Sequence, residues 1–272
     1  MRTERNHSVN LYRYDPSVDK EPYYEQFSIP HQKGMRVLDA LDYIYEQLEH
    51  PFAYHWFCGT KRCGMCGVTV NGKPALACWE AAQDQMTVEP LKHFPIIRDL
   101  VVDFSENERA LTELRPELVR KLPYEGFPEN VTAEEMQAHL DLMSCIDCRL
   151  CVAACPKADP KDPSYKGFVG PYTMVQLAKI GVDPRYDVHL TQSLLKGRIQ
   201  DCGSCNDCGE TCPNQIPILR GAIDKLRDRL VEDGVYEIRA WKIIEKLPLI
   251  LRKWSRCKLN LTLGERINEA AT

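Results

Sequence analysis

The sequence predicts an α+β fold, a small mixed domain followed by an all-α domain, and three observations support this class. Up to residue 104, strand-like alternation and one helical period occur together, whereas beyond residue 140 the apolar spacing is mainly helical. Twelve of the thirteen cysteines fall into three ordered groups in these regions. The predicted segments are a first domain at 1–104, a linker at 105–140, a helical domain at 141–235 and a basic amphipathic segment at 236–272.

The first domain is predicted to contain a strand pair, a helix and a hairpin. A turn at Asp15-Pro16 separates the first two strands. Asn71-Gly72 suits a type I′ turn and therefore predicts the hairpin. The predicted elements are strands at 8–14, 23–29 and 86–88, a helix at 36–49 and a hairpin at 67–78.

The rest of the sequence predicts a linker followed by packed helices. Dense charge and three prolines predict a linker with short helices at 105–140. Apolar residues at helical spacing predict helices at 173–180 and 216–232.

The composition excludes several classes of protein. The 272 residues are 44% hydrophobic, and the net charge of -4 at pH 7 argues against a nucleic-acid partner. The N-terminus lacks an apolar core, and no apolar run reaches the ~18 residues that span a bilayer, so neither a signal peptide nor a membrane span is expected. The odd cysteine count and ligand-like spacings favour a reducing, intracellular setting.

The first cysteine group has the spacing C-x4-C-x2-C-x11-C. This spacing matches the plant-type loop that binds a [2Fe–2S] cluster. Glycines between these cysteines are expected to let the backbone turn tightly around the sulfurs. The candidate ligands, called here the first site, are Cys58, Cys63, Cys66 and Cys78, and the glycines are Gly59, Gly64 and Gly67.

The other two groups repeat the run C-x2-C-x2-C-x3-C-P. In two-cluster ferredoxins the last cysteine of each run binds the cluster of the other run, so crossed ligation of two [4Fe–4S] clusters is expected. The expected ligands of the second site are Cys145, Cys148, Cys151 and Cys212. Those of the third site are Cys155, Cys202, Cys205 and Cys208.

Zinc is the alternative for these thiols, as three structural four-cysteine sites. Zinc sites usually pair two C-x2-C knuckles across a gap, whereas each repeated run packs four cysteines into eleven residues. Iron–sulfur clusters are therefore the favoured interpretation, and disulfides are disfavoured further. Three such centres in one chain indicate a carrier of single electrons.

Residues outside these motifs carry weaker signals. His55 is interpreted as structural, because all four positions of the plant-type loop are already cysteine. Cys257 is interpreted as a packing or surface cysteine, with a link to a partner's cofactor as the alternative. The basic, tryptophan-bearing stretch 239–258 fits either a membrane interface or a helix docked on its own domain.

Catalytic motifs are missing from the sequence. It has no G-x-G-x-x-G fingerprint, no P-loop and no Ser/His/Asp or Cys/His arrangement. No catalytic residue is therefore predicted, and bond-making chemistry is expected on another subunit.

These motifs, in this order, resemble the iron–sulfur subunit of the succinate dehydrogenase/fumarate reductase family. The resemblance covers roughly residues 8–230 and includes the segments Glu89-Pro-Leu91, Phe94–Asp103 and Gly170-Pro171. It implies an N-terminal β-grasp [2Fe–2S] ferredoxin-like domain followed by an all-α ferredoxin-like domain with two cubane-type clusters.

The resemblance also implies partners and a path for electrons. It implies a flavoprotein subunit that holds FAD and interconverts succinate and fumarate, and a membrane-anchor or quinone-reactive subunit. Electrons would pass from flavin through the first, second and third sites to a quinone. The chain would then lie peripherally on the cytoplasmic side of the cell membrane.

Two departures from the family pattern concern the third site. Familiar members lack one cysteine of the second run and hold a three-iron cluster there, whereas Cys205 fills that position here, which predicts a [4Fe–4S] cluster. The tryptophans and histidine that accompany a quinone pocket are also missing, since Lys157 follows Pro156 and Gly203 follows Cys202. A thiol/disulfide acceptor, another flavoprotein partner and a sensor or scaffold without a catalytic partner are the alternatives.

Overall fold

The protein is described from a computed structural model covering residues 6–121, 123–124, 126, 131–159 and 167–233. The stretch 236–272, with its amphipathic segment and Cys257, lies outside the described residues, as does Pro128 of the linker. The described residues fall into two compact units. The first unit contains the chain up to Glu106 with Cys145–Ala154 and Thr211–Pro213, and the second contains Asn107–Ser144, Cys155–Glu210 and the chain from Asn214.

The first unit is built on a five-stranded sheet of order β2-β1-β5-β3-β4, beside which one helix packs. In β1, which lies between β2 and β5, His7, Val9, Leu11 and Arg13 are buried in strict alternation, the period expected of a half-buried strand. The elements are β1 (Asn6–Arg13), β2 (Tyr23–Pro30), α1 (Val37–Glu46), β3 (Gly67–Val70), β4 (Lys73–Leu76), β5 (Gln85–Glu89), β6 (Ile96–Arg98), β7 (Val101–Val102) and, from later in the chain, α4 (Leu150–Ala153).

The predicted hairpin and helix are confirmed with small changes. Asn71 and Gly72 have φ values of 48° and 81°, as a type I′ turn requires between β3 and β4. The helix α1 ends at Glu46 rather than residue 49, with Gln47 as its C-cap, and Glu49 takes a left-handed conformation (φ 51°) that stops the helical backbone.

The sequence did not predict the small β6–β7 ribbon in the 94–103 segment. Its turn residue Asp99 is buried and accepts hydrogen bonds from Arg13 Nε at 3.0 Å and from the Ala53 amide at 2.8 Å. This carboxylate therefore ties the ribbon to β1 and to the segment ahead of the cysteine loop. Removing Arg13 or Asp99 would leave the other buried without its partner, which is costly inside a protein.

The second unit is mainly helical, as predicted. The helix predicted at 173–180 begins earlier, at Gly170, because Pro171 suits a first helical turn. The stretch predicted as helix 216–232 instead begins with a π-helical turn at Ile218–Ile223. The elements are α2 (Ser105–Leu114, which starts at the unit boundary), β8 (Val119–Arg120), α3 (Ala133–Met143), α5 (Gly170–Gly181), β9 (Tyr186–Asp187), α6 (Thr191–Lys196), a 3-10 turn (Ile199–Asp201), α7 (Asp207–Glu210) and α8 (Asp224–Glu232).

The α+β class is confirmed by these two units. The domain boundaries at 104, 140 and 235 remain a prediction. No helix among the described residues is both long enough and apolar enough to cross a membrane.

Candidate metal centres

The first site is assembled by the β3–β4 hairpin and the loop before it. Cys66 and Cys78 flank the hairpin and are buried, and the Ala77 amide donates to the Cys66 carbonyl at 2.9 Å. Cys58 and Cys63 come from the more exposed loop. Cys66 interacts electrostatically with Cys78 and Cys63, and Cys58 hydrogen-bonds with Cys63, so the four thiols form one group.

Three backbone amides surround the sulfur of Cys58. The amides of Thr60, Arg62 and Cys63 lie 3.4, 3.3 and 3.3 Å from Cys58 Sγ. The first two of these hydrogen bonds are the main cause that lowers the pKa of the Cys58 thiol to about 6. A loop that stabilises a thiolate fits a metal–sulfur ligand, because the ligand must be deprotonated.

Left-handed backbone makes this arrangement possible. Gly59, Lys61 and Gly64 have φ values of 64°, 59° and 72°. Alternation of such residues turns successive amides toward one centre, as in anion-binding nests. The prediction that Gly67 helps the backbone turn around the sulfurs is wrong, because Gly67 has no positive φ and lies in β3. An added Cβ there would come within 2.9 Å of Leu91 Cδ1, so Gly67 allows close packing instead.

The cysteine loop of the first site touches the loop of the second. An added Cβ on Gly64 would overlap the carbonyl oxygen of Ile146 and come within 3.0 Å of Cys148 Cα. Both loops belong to the first unit, so this is a close backbone contact inside one compact body. Only glycine permits that approach at this φ.

The second site lies at the edge of the first unit's core. Burial is the main cause that raises the pKa of the Cys148 thiol to about 12, and Cys145 and Cys212 act on it as electrostatic neighbours. The structure therefore brings Cys212 to the first run, as crossed ligation requires. Cys151 lies in α4, one residue after the buried Leu150.

The third site lies within the second unit. Four thiols line one small cavity together with the side chains of Lys157, Phe168 and Ile223. Burial is the main cause that raises the pKa values of Cys155 to about 12 and Cys205 to about 11. The four thiols are those of Cys155, Cys202, Cys205 and Cys208.

The two repeated runs share a backbone feature that the sequence did not reveal. Residues with left-handed backbone flank the second cysteine of each run. They are Asp147 and Arg149 (φ 55° and 57°) around Cys148, and Ser204 and Asn206 (φ 54° and 72°) around Cys205. Asp and Asn tolerate this conformation better than most residues, a signal that was present in the sequence. Cys205 thus occupies in its run the position that Cys148 occupies in the first.

A buried arginine donates hydrogen bonds to the loop that carries the cysteines of the third site. Arg227 in α8 donates to Ser204 Oγ at 2.7 Å, to the Cys202 carbonyl at 2.9 Å and to the Ile199 carbonyl at 3.2 Å. Asp224 lies 3.5 Å from the same guanidinium and balances its charge. Motif spacing could not identify this residue, because its partners are mostly backbone atoms.

We expect Arg227→Met to destabilise the protein by about 3 kcal/mol, because three buried acceptors and Asp224 would lose a charged donor. Thermal unfolding followed by iron content measures the effect, with iron of the third site lost first. Arg220→Met is the matched control, since Arg220 is exposed on the π-helical turn. Equal stability of the two variants would contradict this role for Arg227.

Comparison with known proteins agrees with this geometry. The family described as a 2Fe-2S iron-sulfur cluster binding domain matches residues 8–109, and the 4Fe-4S dicluster domain family matches residues 141–216. The predicted fold class and the predicted cofactors, one [2Fe–2S] and two [4Fe–4S] clusters, are thereby confirmed. Which cysteine binds which cluster remains a prediction.

Two curated relatives and one solved structure are similar to most of the chain. It is 32% identical over 248 residues to the fumarate reductase iron-sulfur subunit of Haemophilus influenzae, covering 82% of this chain and 94% of the relative. It is 31% identical over 240 residues to one subunit of the fumarate reductase (CoM/CoB) of Methanothermobacter marburgensis, covering 88% of this chain but only 47% of that relative. The chain thus spans about half the length of that second protein.

The solved structure supports the fold. A chain of the Mycobacterium smegmatis Sdh1 complex in the apo form superposes with a TM-score of 0.78 at 22% identity, covering 87% of this chain and 100% of that one.

Proposed function

Because the chain belongs to the family of succinate dehydrogenase/fumarate reductase iron–sulfur subunits, we propose that it is the electron-transfer subunit of such a complex. It relays electrons between the FAD of a flavoprotein subunit and a quinone-side membrane partner. It lies peripherally on the cytoplasmic side of the cell membrane. Substrate chemistry takes place on the flavoprotein, because this sequence has no catalytic motif.

The close contact between the first two cysteine loops carries this proposal. Gly64 of the first loop packs directly on Ile146 and Cys148 of the second. Two redox centres held by touching loops suit electron transfer between them, whereas a sensor or scaffold needs no such approach. Bound clusters would supply one-electron transfer at these sites.

The protein's own residues prepare the sites for this chemistry. Amides around Cys58 favour its thiolate, and burial of Cys148 and Cys155 excludes water from the other two sites. Arg227 fixes the backbone that presents Cys202. None of these groups needs to move during turnover.

An exposed apolar rim next to the first site supports the docking of a flavoprotein there. Phe57 is 81% exposed directly before Cys58, and Trp79 is 52% exposed directly after Cys78. Lys61 Nζ lies 4.9 Å from the centre of the Trp79 ring. Aromatic residues and methionine are enriched in protein interfaces relative to the rest of the surface. Trp56 and Met65 complete the rim.

The test is succinate-dependent reduction of a quinone analogue by the native complex, gently solubilised with its partner subunits. The proposal predicts robust activity, and predicts that Phe57→Ser slows reduction of the iron–sulfur sites by the flavoprotein while iron content stays unchanged. Val18→Ser is the matched control, because Val18 is 76% exposed away from the cysteine motifs. Inactivity of a complex with intact flavin and clusters would overturn the succinate–quinone assignment.

A thiol/disulfide partner in place of quinone is the second candidate. The tryptophan and histidine groups of a quinone pocket are missing, and Lys157 and Gly203 line the third site instead. The Methanothermobacter marburgensis relative is named a fumarate reductase (CoM/CoB). In this reaction two thiols would give two electrons and two protons to fumarate, forming a disulfide and succinate. Thiol-dependent fumarate reduction without quinone activity would select this candidate.

A further inference from the structure

Two histidines and an aspartate meet at one end of the sheet in the first unit, apart from the cysteine motifs. His7 is in strand β1, His31 comes one residue after β2 ends, and Asp84 comes one residue before β5 begins. Because β2 and β5 are the two neighbours of β1, these three positions lie at the same end of three adjacent strands. Their ligand atoms all lie within 4.8 Å of one another.

The hydrogen bonds of His7 select the tautomer of its ring. Its ring is 1% exposed, and Nδ1 lies 2.8 Å from the carbonyl oxygen of Gln83. A carbonyl only accepts, so Nδ1 carries the proton, and the lone pair of the neutral ring is on Nε2. That nitrogen faces Nδ1 of His31 at 2.9 Å. A histidine that donates one N–H to a carbonyl and presents the other nitrogen has the usual arrangement of a metal ligand.

The segment that carries Asp84 is held in place. The Asp84 carbonyl accepts from the Ser8 amide of β1 at 2.7 Å. On the other side, the Asn71 side chain donates to Gln83 Oε1 at 2.9 Å and to the Gln85 carbonyl at 3.2 Å. The backbone on both sides of Asp84 is therefore fixed by the sheet and by the hairpin turn.

From this arrangement we propose that His7, His31 and Asp84 form a divalent metal site that binds Zn²⁺. Two imidazole nitrogens and one carboxylate oxygen are a common zinc set, and the exposed His31 and Asp84 leave the fourth position to water. Ligand atoms of tetrahedral zinc are about 3.4 Å apart, so the two histidine nitrogens must separate by about 0.5 Å and the side chains must turn until both lone pairs and the carboxylate face the ion. His31 turns its Nδ1 lone pair to the metal by moving its proton to Nε2.

The bound ion would add a link between three neighbouring strands. It would tie the start of β1 to the end of β2 and the start of β5. We expect zinc to raise the thermal midpoint of the protein, because it binds the folded state and not the separated strands.

The test uses the full chain with its clusters intact and Zn²⁺ at low micromolar concentration. Equilibrium dialysis with metal analysis should find about one zinc per chain, bound at least about tenfold more weakly by His31→Gln and by Asp84→Asn. His189→Gln, which changes an exposed histidine of the second unit, should bind like the unaltered protein. Visible absorbance of the clusters confirms that each variant is folded and loaded.

X-ray absorption at the zinc edge separates this site from the cysteines. The proposal predicts a shell of nitrogen and oxygen near 2.0–2.1 Å, with no sulfur. A sulfur shell near 2.3 Å would place the zinc on cysteine thiols and overturn the proposal. Unchanged affinity in both His31→Gln and Asp84→Asn would overturn it as well.

Discussion

Replacing Cys205 with serine is expected to turn the third site from a four-iron into a three-iron site. Cys205 lines the same cavity as Cys155, Cys202 and Cys208, and its loop has the left-handed flanks seen around Cys148. Serine offers a harder oxygen donor that iron in a sulfide cluster binds less well than thiolate. The iron at that corner should be lost, leaving three thiolates.

Electron paramagnetic resonance of the oxidised, anaerobically handled protein measures this change. The unaltered protein should give no stoichiometric [3Fe–4S] signal, and Cys205→Ser should give one. Cys148→Ser is the matched variant in the first run and should, by the same argument, give a three-iron signal from the second site while the third site keeps four irons. If the unaltered protein already shows a full three-iron signal and Cys205→Ser changes nothing, the ligand role of Cys205 is wrong.

Gly64→Ala has the second large expected effect, on the contact between the first two cysteine loops. Its new methyl group would overlap the Ile146 carbonyl, and alanine is strained at a φ of 72°. Together these effects are expected to cost about 3 kcal/mol, which lowers the thermal midpoint by roughly 6–12 °C. Loss of visible cluster absorbance on heating measures that midpoint.

Gly59→Ala separates the cost of backbone strain from the cost of steric overlap. Gly59 lies in the same loop with a φ of 64°, but nothing lies within 4 Å of an added Cβ. This variant should therefore cost only the backbone strain, about 1 kcal/mol, or roughly 2–4 °C. Equal thermal midpoints for the two variants would show that overlap with the Ile146 carbonyl adds no cost beyond backbone strain, and would contradict the close contact at Gly64.

Local signals in the sequence predict the hairpin, the helix α1 and the strands of the main sheet in the first unit, but not the β6–β7 ribbon. Asn71-Gly72 predicts the hairpin because few other pairs adopt positive φ at both positions. The three cysteine groups predict their sites because iron–sulfur ligation needs thiolates at short, fixed spacings. The observed α1 ends three residues before the predicted end at 49, because Glu49 adopts a left-handed conformation that helical apolar spacing does not reveal.

Features that depend on tertiary contacts were not predictable in this way. Asp99 and Arg227 are polar residues whose buried hydrogen bonds join them to groups 23 to 86 positions away in the sequence. The π-helical turn at Ile218–Ile223 follows helical apolar spacing, so periodicity alone does not distinguish it from an α-helix. The left-handed Arg149 and Ser204 adopt their conformation because the loop must curve around the thiols.

Combined iron analysis and Mössbauer spectroscopy of the anaerobically purified protein tests the central claim most directly. A relay of one [2Fe–2S] and two [4Fe–4S] centres predicts about ten iron atoms per chain, with about four-fifths of the iron in cubane-type clusters. All of it should be reducible through the flavoprotein of the native complex. Zinc in place of iron, or a stoichiometric three-iron centre in the unaltered protein, would contradict the account.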